Sequence, residues 1–207
     1  MTLVVRVRGT GESLGRNMLS AIPGEELVYP AEIRPIGLRS YQESVSAAVS
    51  ALREVDARGE PWVGVGYSLG AAALGDAAAL GFKHCRGVVL VADPWRPRGK
   101  CAHRGVSVTR YGCAGERDVR SVPAAWLAIP DDPITACDAG DGFRLLANVV
   151  TVRQQRLLPS MYWNVPALVS SVSRYLGTRH TAYGVERVRD DSRTYVELAA
   201  DVVEGMR

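Results

Sequence analysis

Residues 61–80, PWVGVGYSLGAAALGDAAAL, decide the fold of this chain. Trp62, Val63 and Val65 form a short apolar run typical of a buried strand, and the alanine-rich stretch that follows is typical of a helix lying close to a sheet. Between them stands G-Y-S-L-G, a G-x-S-x-G sequence in the strand–turn–helix context of a nucleophile elbow. The pattern predicts that Ser68 lies at the tip of a tight turn, with its hydroxyl exposed at the start of the helix.

The two glycines of this turn support the elbow. A side chain on Gly66 or Gly70 would collide with the neighbouring strand or helix as the turn closes. The motif alone is weak, and the alternative is a loop serine that caps a helix. The apolar strand before the motif and the helix after it favour the elbow, so Ser68 is the candidate nucleophile.

Strand and helix patterns alternate along the chain. Besides the elbow strand, extended segments are predicted at residues 2–8, 27–29, 87–92, 106–111 and 124–129. Besides the elbow helix, helices are predicted at residues 40–55, 143–152, 166–175 and 192–206. This alternation predicts an α/β fold with a mostly parallel sheet covered on both faces. A length of 207 residues, with no internal repeat or linker, predicts a single domain, residues 1–207.

The composition is that of an ordinary globular protein, 47% hydrophobic and 23% charged. No run of 18 apolar residues exists, so no membrane-spanning segment is predicted. The net charge is only +3 and the basic residues never form a block, which argues against nucleic acid as a partner. Met1 leads directly into a strand pattern without the apolar core of a signal peptide, which predicts synthesis in the cytoplasm without one.

Four cysteines, Cys85, Cys101, Cys113 and Cys137, allow three connectivities if all are paired. We predict free thiols instead. The chain has no C-x-x-C, and no histidine is spaced around the cysteines as a zinc site requires. Nothing in the sequence calls for a metal or an organic cofactor.

A serine hydroxyl needs a neighbouring base, usually a histidine held by a carboxylate, and on this kind of fold the chain order is serine, acid, histidine. The chain has three histidines. His84 comes too soon after the elbow helix and is predicted at the far side of the sheet. His103 lies in a basic loop before the best acid. Only His180 leaves room for an acid after Ser68, so His180 is the predicted base.

Asp132 is the predicted acid. It follows the apolar strand 124–129 and therefore projects from the same rim of the sheet as Ser68. Asp131 is adjacent and remains the alternative. Asp93 also ends a strand, but it is predicted to shape the pocket.

Acyl transfer also needs N–H donors aimed at the developing oxyanion. The N–H of Leu69, directly after the candidate nucleophile, is one. Residues 8–12, RGTGE, form a glycine-rich turn at the end of the first strand. This turn is predicted to supply the second donor, through the N–H of Thr10 and also its hydroxyl.

Several of these pieces together resemble the cutinase and lysin B branch of the α/β-hydrolases. Residues 8–12 look like its R-G-[ST]-x-E loop, residues 29–31 match its Y-P-A, and residues 66–71 are similar to its G-Y-S-Q-G-A elbow. Asp132 and His180 stand where the branch has its acid and base. Leu69 replaces the usual glutamine, and Asp131 replaces the usual glycine before the acid, so the choice between the two aspartates stays open. The resemblance implies a cutinase-like three-layer sandwich.

Within this branch, the missing signal peptide and residues 93–97, DPWRP, look more like phage lysin B than a secreted cutinase. Lysin B proteins hydrolyse the ester that joins mycolic acids to arabinogalactan. The resemblance therefore implies a monomeric serine esterase that acts on lipid esters of the mycolate cell envelope of a host. The alternatives are a cutinase-like lipid or polyester esterase and a catalytically silent binding module.

An apolar patch lies between the predicted acid and base in the sequence. It comprises Leu157, Leu158, Met161, Tyr162 and Trp163. The patch suits an acyl chain, and ordinary core packing is the alternative.

Overall fold

A sheet of five parallel strands forms the middle layer of the computed structural model, which describes residues 2–152 and 157–207. The strands are β1 (Leu3–Val7), β2 (Glu25–Glu26), β3 (Trp62–Tyr67), β4 (Cys85–Val91) and β5 (Ala124–Leu127). Their order across the sheet is β2-β1-β3-β4-β5, and every neighbouring pair is parallel. The carboxyl ends of β1, β3 and β4 therefore lie side by side at one edge, where α/β folds place their binding sites.

Helices cover both faces of this sheet. They are α1 (Tyr41–Ala57), α2 (Leu69–Leu80), α3 (Phe143–Thr151), α4 (Ser160–Trp163), α5 (Val165–Leu176) and α6 (Tyr195–Met206). α1 and α2 pack on each other and on one face, whereas α6 packs on β3 and β4 from the other face. The predicted three-layer sandwich with a parallel sheet is confirmed.

Strand β3 is buried along its whole length and contributes to both cores. Trp62 packs in the core with α1 and α2, and Val63 and Val65 pack in the core with α6. Because successive side chains point to opposite faces, a strand covered on both sides has to be apolar throughout. This explains why the elbow strand reads as a continuous apolar run.

Two long helices begin at capping boxes. The Ser40 hydroxyl accepts from the Glu43 N–H and the Glu43 carboxylate accepts from the Ser40 N–H, so α1 begins where the sequence predicts. Thr194 and Glu197 form the same arrangement at the start of α6, three residues after the predicted start. Each cap contributes about 1 kcal/mol by satisfying helix N–H groups that have no partner within the helix.

Two predicted strands differ from the structure. Residues 106–111 form no strand: half of them are exposed, Ser107 and Thr109 bond to each other in a turn, and only Tyr111 makes an isolated bridge, to Cys137. In place of the edge strand predicted at 27–29, the structure has the two-residue strand β2, which ends at residue 26. Leu27 donates one more bond to the Arg6 carbonyl, and the chain then leaves the sheet.

All four cysteines are free thiols, as predicted. Burial raises the pKa of Cys85 to about 11 and that of Cys137 to about 12, so both stay protonated at neutral pH. Among the described residues, no helix is both long and apolar enough to cross a membrane.

Candidate active site

Ser68 occupies a strained turn between β3 and α2. Its φ is 54° and its ψ −115°, a combination that most residues avoid, and its N–H donates to the Val91 carbonyl at 2.9 Å. The turn leaves no room for side chains at the flanking glycines. A Cβ on Gly70 would lie 2.0 Å from the Val7 carbonyl oxygen, and a Cβ on Gly66 would lie 2.6 Å from the Gly70 oxygen. The predicted steric reason for both glycines is confirmed.

The structure brings His180 to this serine. His180 lies on a 3-10 helix, Arg179–Gly184, where the sequence predicts only a loop, and its Nε2 is 2.8 Å from the Ser68 Oγ. Tyr67, the residue before the serine, fixes the histidine in two ways. Its hydroxyl donates to the His180 carbonyl at 2.5 Å, and its ring stacks on the imidazole with 5.4 Å between centroids.

Asp132 holds the other side of the imidazole. It is fully buried just beyond β5, and its Oδ2 is 3.0 Å from the His180 Nδ1. Its Oδ1 accepts from the Ile134 N–H at 2.9 Å. Because an ionised carboxylate only accepts hydrogen bonds, this pairing puts the ring proton on Nδ1 and leaves the Nε2 lone pair facing the Ser68 hydroxyl.

Tyr183 completes the support of the carboxylate, and the sequence reasoning missed it. Its hydroxyl donates to the Asp132 Oδ2 at 2.7 Å and accepts from the Ile129 N–H at 3.1 Å. Burial, together with the nearby Asp132 charge, raises the pKa of Tyr183 well above its usual value, so it stays a donor. The available signal was its position three residues after His180, which is one turn of a 3-10 helix.

Asp131 faces away from the imidazole. Its carboxylate is partly exposed and accepts from the Arg179 Nε at 2.9 Å, and Arg179 also pairs with Glu186. The structure therefore separates the two adjacent aspartates. Asp132 lies in the hydrogen-bonded chain with Ser68 and His180, and Asp131 forms an ion pair with Arg179 at the start of the 3-10 helix.

The other two histidines lie elsewhere. The His84 carbonyl accepts from the Trp62 N–H, which places His84 at the amino ends of the strands, opposite to Ser68. The His103 ring packs edge-on against Tyr195, and burial lowers its pKa.

Asp93 differs from its predicted role in shaping the pocket. It is fully buried and binds Arg117 at 2.7 Å and the Trp126 Nε1 at 3.0 Å. Arg117 in turn donates to the Ala72 carbonyl of α2 at 2.8 Å. Asp93 therefore braces the elbow helix from the interior.

The predicted oxyanion donors lie at the same edge of the sheet. Gly70 packs on the carbonyl groups of Val7 and Arg8, so the first turn of α2 touches the end of β1. Within the described part of the chain, neither the Leu69 N–H nor the Thr10 N–H has a hydrogen-bond acceptor. Both are therefore free to donate to a substrate.

The loop that carries Thr10 is braced from within. The Glu12 carboxylate accepts from the Gly9 N–H at 2.6 Å and from the Met18 N–H at 2.8 Å. These bonds fix the loop on both sides of Thr10.

Its second brace is the Y-P-A segment. The Arg8 guanidinium donates to the Leu27 and Tyr29 carbonyls, and the Tyr29 hydroxyl donates back to the Arg8 carbonyl. The Gly11 N–H donates to the Ala31 carbonyl at 2.8 Å. The two motifs that carried the family resemblance are thus partners in one hydrogen-bonded unit.

No metal centre accompanies this site in residues 2–152 and 157–207, where no group of three or more His, Cys, Asp or Glu side chains could hold an ion. The chemistry that these residues offer is a hydroxyl next to an imidazole, with unpaired N–H groups nearby. That set is suited to nucleophilic acyl transfer.

Comparison with known proteins gives three solved structures of the same fold. The chain is similar to lysin B from Mycobacteriophage D29, with 15% identity, a TM-score of 0.58 and coverage of 98% of this chain and 99% of that one. It is similar to a cutinase-like protein from Cryptococcus sp., with 17% identity, a TM-score of 0.51 and coverage of 88% and 93%. An acetylxylan esterase gives 19% identity, a TM-score of 0.50 and coverage of 83% and 97%.

Sequence comparison adds nothing to this, since no family model matches the chain and no curated protein matches it. At identities of 15–19%, the three structural similarities show a shared fold and nothing beyond it. The resemblance in sequence motifs is confirmed at that level: the chain has the cutinase-like α/β-hydrolase fold.

Proposed function

We propose that this protein is a serine esterase in which Ser68 is the nucleophile, His180 the general base and Asp132 the acid that orients the base. One observation carries the proposal. The Ser68 Oγ, the two ring nitrogens of His180 and the Asp132 Oδ2 form a continuous chain of hydrogen bonds of 2.8 and 3.0 Å. This is the arrangement that makes a serine hydroxyl nucleophilic.

In the first half-reaction, the Ser68 Oγ attacks the ester carbonyl carbon while the His180 Nε2 takes the hydroxyl proton. The positive imidazole is stabilised by Asp132, which Tyr183 and the Ile134 N–H hold in place. The carbonyl oxygen becomes an oxyanion, and the N–H groups of Leu69 and Thr10 are the proposed donors to it.

The tetrahedral intermediate collapses when the C–O bond to the alcohol breaks. The His180 Nε2–H gives its proton to the departing alkoxide, which leaves an acyl group on Ser68. Water then attacks the acyl-enzyme with His180 again as the base, and the products are a carboxylic acid and the free serine.

As natural substrate we propose lipid acyl esters, and specifically mycolic acid esters of cell-wall arabinogalactan, hydrolysed at the host cell envelope. The sequence motifs and the similarity to a lysin B over 98% of the chain support this substrate. An exposed apolar surface close to His180, described below, supports a lipid rather than a polar polymer.

A para-nitrophenyl ester series from butyrate to palmitate tests the reaction, and purified mycolyl-arabinogalactan tests the substrate. We expect ester hydrolysis by the wild type, none by Ser68→Ala, and release of free mycolic acid. Ester hydrolysis without mycolic acid release would favour the cutinase-like alternative. A folded wild type that hydrolyses no ester would favour the silent binding module.

A further inference from the structure

Exposed apolar side chains are concentrated in one segment of the molecule. Of the nineteen large hydrophobic side chains that are exposed among the described residues, twelve lie between residues 146 and 176. Isolated exposed apolar residues are normal on a protein surface, but a contiguous group marks an interaction site. Tyr162 and Trp163, in the patch that the sequence singled out, are exposed, whereas Met161 is buried.

Helix α5 buries little of its surface, although Leu168 and Val172 are partly buried and pack against the core. Its one buried side chain is Ser171, whose hydroxyl donates to the buried Asp141 carboxylate. Val165, Val169 and Leu176 are exposed instead. A helix of a globular protein normally turns its apolar residues to the core, so these three additional exposed side chains leave room for an apolar neighbour outside the chain.

Helix α3 also exposes apolar side chains, although Phe143 and Ala147 are buried in the core. Arg144 is completely buried and donates to five backbone carbonyls, those of Tyr111, Gly112, Cys113, Cys137 and Asp138. Leu146, Val149 and Val150 are exposed. Part of the apolar surface of α3 therefore faces outwards.

The charge of this segment has one sign. Residues 142–185 contain no Asp or Glu, although the chain has 22 of them in 207 residues. The segment contains five arginines: Arg144, Arg153, Arg156, Arg174 and Arg179. Arg144 is buried and Arg179 is paired with Asp131 and Glu186, so among the described residues of the segment Arg174 is the half-buried cation beside the apolar side chains. A surface of apolar and aromatic side chains with an arginine and no acidic group is compatible with anionic lipid headgroups above an acyl layer.

The surface adjoins the candidate active site. Tyr175 of α5 packs against Phe143 at 6.0 Å and against the His180 ring at 5.9 Å, centroid to centroid. A lipid layer that covers α5 would therefore lie beside the imidazole that faces Ser68.

We propose that the α3–α5 face, formed by Leu146, Val149, Tyr162, Trp163, Val169 and Leu176, docks the protein onto an anionic lipid surface. This deepens the proposed esterase function and rests on it only for the identity of the substrate. Trp163 and Tyr162 enter the headgroup region, where amphipathic rings are favoured, and the aliphatic side chains contact the acyl boundary.

Trp163 offers a site-specific probe of this docking. It is 82% exposed, whereas Trp62, Trp95 and Trp126 are buried. Ser68→Ala protein, which leaves lipids intact, is titrated with phosphatidylcholine vesicles containing 30% phosphatidylglycerol or none. We expect a blue shift of tryptophan emission with the anionic vesicles, weaker binding in high salt, and no shift for Trp163→Phe.

Matched charge insertions locate the contact. Val169→Glu with Leu176→Glu should weaken partitioning by more than about tenfold, because two anionic groups then face an anionic surface. The control is Val108→Glu, at a side chain that is 71% exposed on another part of the surface, and it should bind as the parent does.

Three results would overturn the docking proposal: no emission shift with either vesicle, equal binding to neutral vesicles, or a dimer in sedimentation that buries Trp163. Hydrolysis of para-nitrophenyl butyrate by the wild type separates the two proposals. Hydrolysis without vesicle binding overturns the docking alone, whereas vesicle binding by a wild type that hydrolyses no ester overturns the esterase alone.

Discussion

Helices α2 and α5 are both twelve residues long and both lie next to the candidate active site, yet they bury their side chains to very different extents. Nine residues of α2 are buried, including all of its first turn after Ser68. In α5 the only buried residue is Ser171. The core of the molecule surrounds α2, whereas most of the surface of α5 is left exposed or half-buried.

This difference assigns separate tasks to the two regions. Ser68 lies in a strained turn, and such strain persists only where the surrounding structure holds the turn in place. The buried helix α2 and the close contact of Gly70 with β1 provide this support. Recognition of a large lipid surface instead needs exposed apolar area. Both regions contact His180: Ser68, at the start of α2, bonds to its Nε2, and Tyr175 of α5 packs against its ring.

The largest expected effect is the loss of the proposed nucleophile or the proposed base. Ser68→Ala and His180→Ala should each lower kcat for para-nitrophenyl butyrate by about 10⁴- to 10⁶-fold, because the two groups act as one unit. Unfolding curves of both variants serve as the control. A residual rate within tenfold of the wild type would contradict the assignment.

The next effect separates the two adjacent aspartates. Asp132→Asn should lower kcat by about 10⁴-fold, because an amide at this position favours the wrong histidine tautomer. Asp131→Asn removes only a partly exposed partner of Arg179, so activity should fall by no more than about threefold. The reverse order of the two losses would make Asp131 the acid.

The contrast between the helices predicts different tolerance of charge. Ala73→Glu, at a fully buried position of α2, should lower the free energy of unfolding by about 4 kcal/mol or prevent folding, since a carboxylate would be buried without a partner. Val169→Glu on α5 should change it by no more than about 0.5 kcal/mol. Urea unfolding of both variants measures the difference, and equal losses would mean that α5 is part of the core.

The smallest effect concerns Tyr183. Tyr183→Phe should lower kcat about tenfold with KM unchanged, because one of the bonds that position Asp132 is lost. Tyr195→Phe, on the neighbouring buried ring, is the control, and an equal fall in kcat there would contradict a positioning role.

The elbow could be predicted because its sequence and its structure are the same few residues. A strand, two glycines and a helix of small residues determine the turn locally, and the order of the strands at one edge of the sheet then limits where a base and an acid can lie. Because the chain has only three histidines, this constraint was enough to choose His180 as the predicted base.

Other features depended on contacts that the sequence does not show. Adjacent residues of a turn point in different directions, so the choice between Asp131 and Asp132 required the geometry. Tyr183 acts through a hydrogen bond 51 residues away along the chain. A helix was predicted at 166–175, but the pattern of its residues does not show which of its apolar side chains meet the core and which stay exposed. Residues 153–156, which precede the apolar patch, lie outside the described residues.

Covalent labelling with a fluorophosphonate tests the central claim most directly, because it requires an activated serine and no knowledge of the natural substrate. The account predicts a single adduct on the peptide that contains Ser68 in the wild type, none in Ser68→Ala, and strongly slowed labelling in His180→Ala and Asp132→Asn but not in Asp131→Asn. A folded wild type that stays unlabelled, or an adduct on another residue, would contradict it.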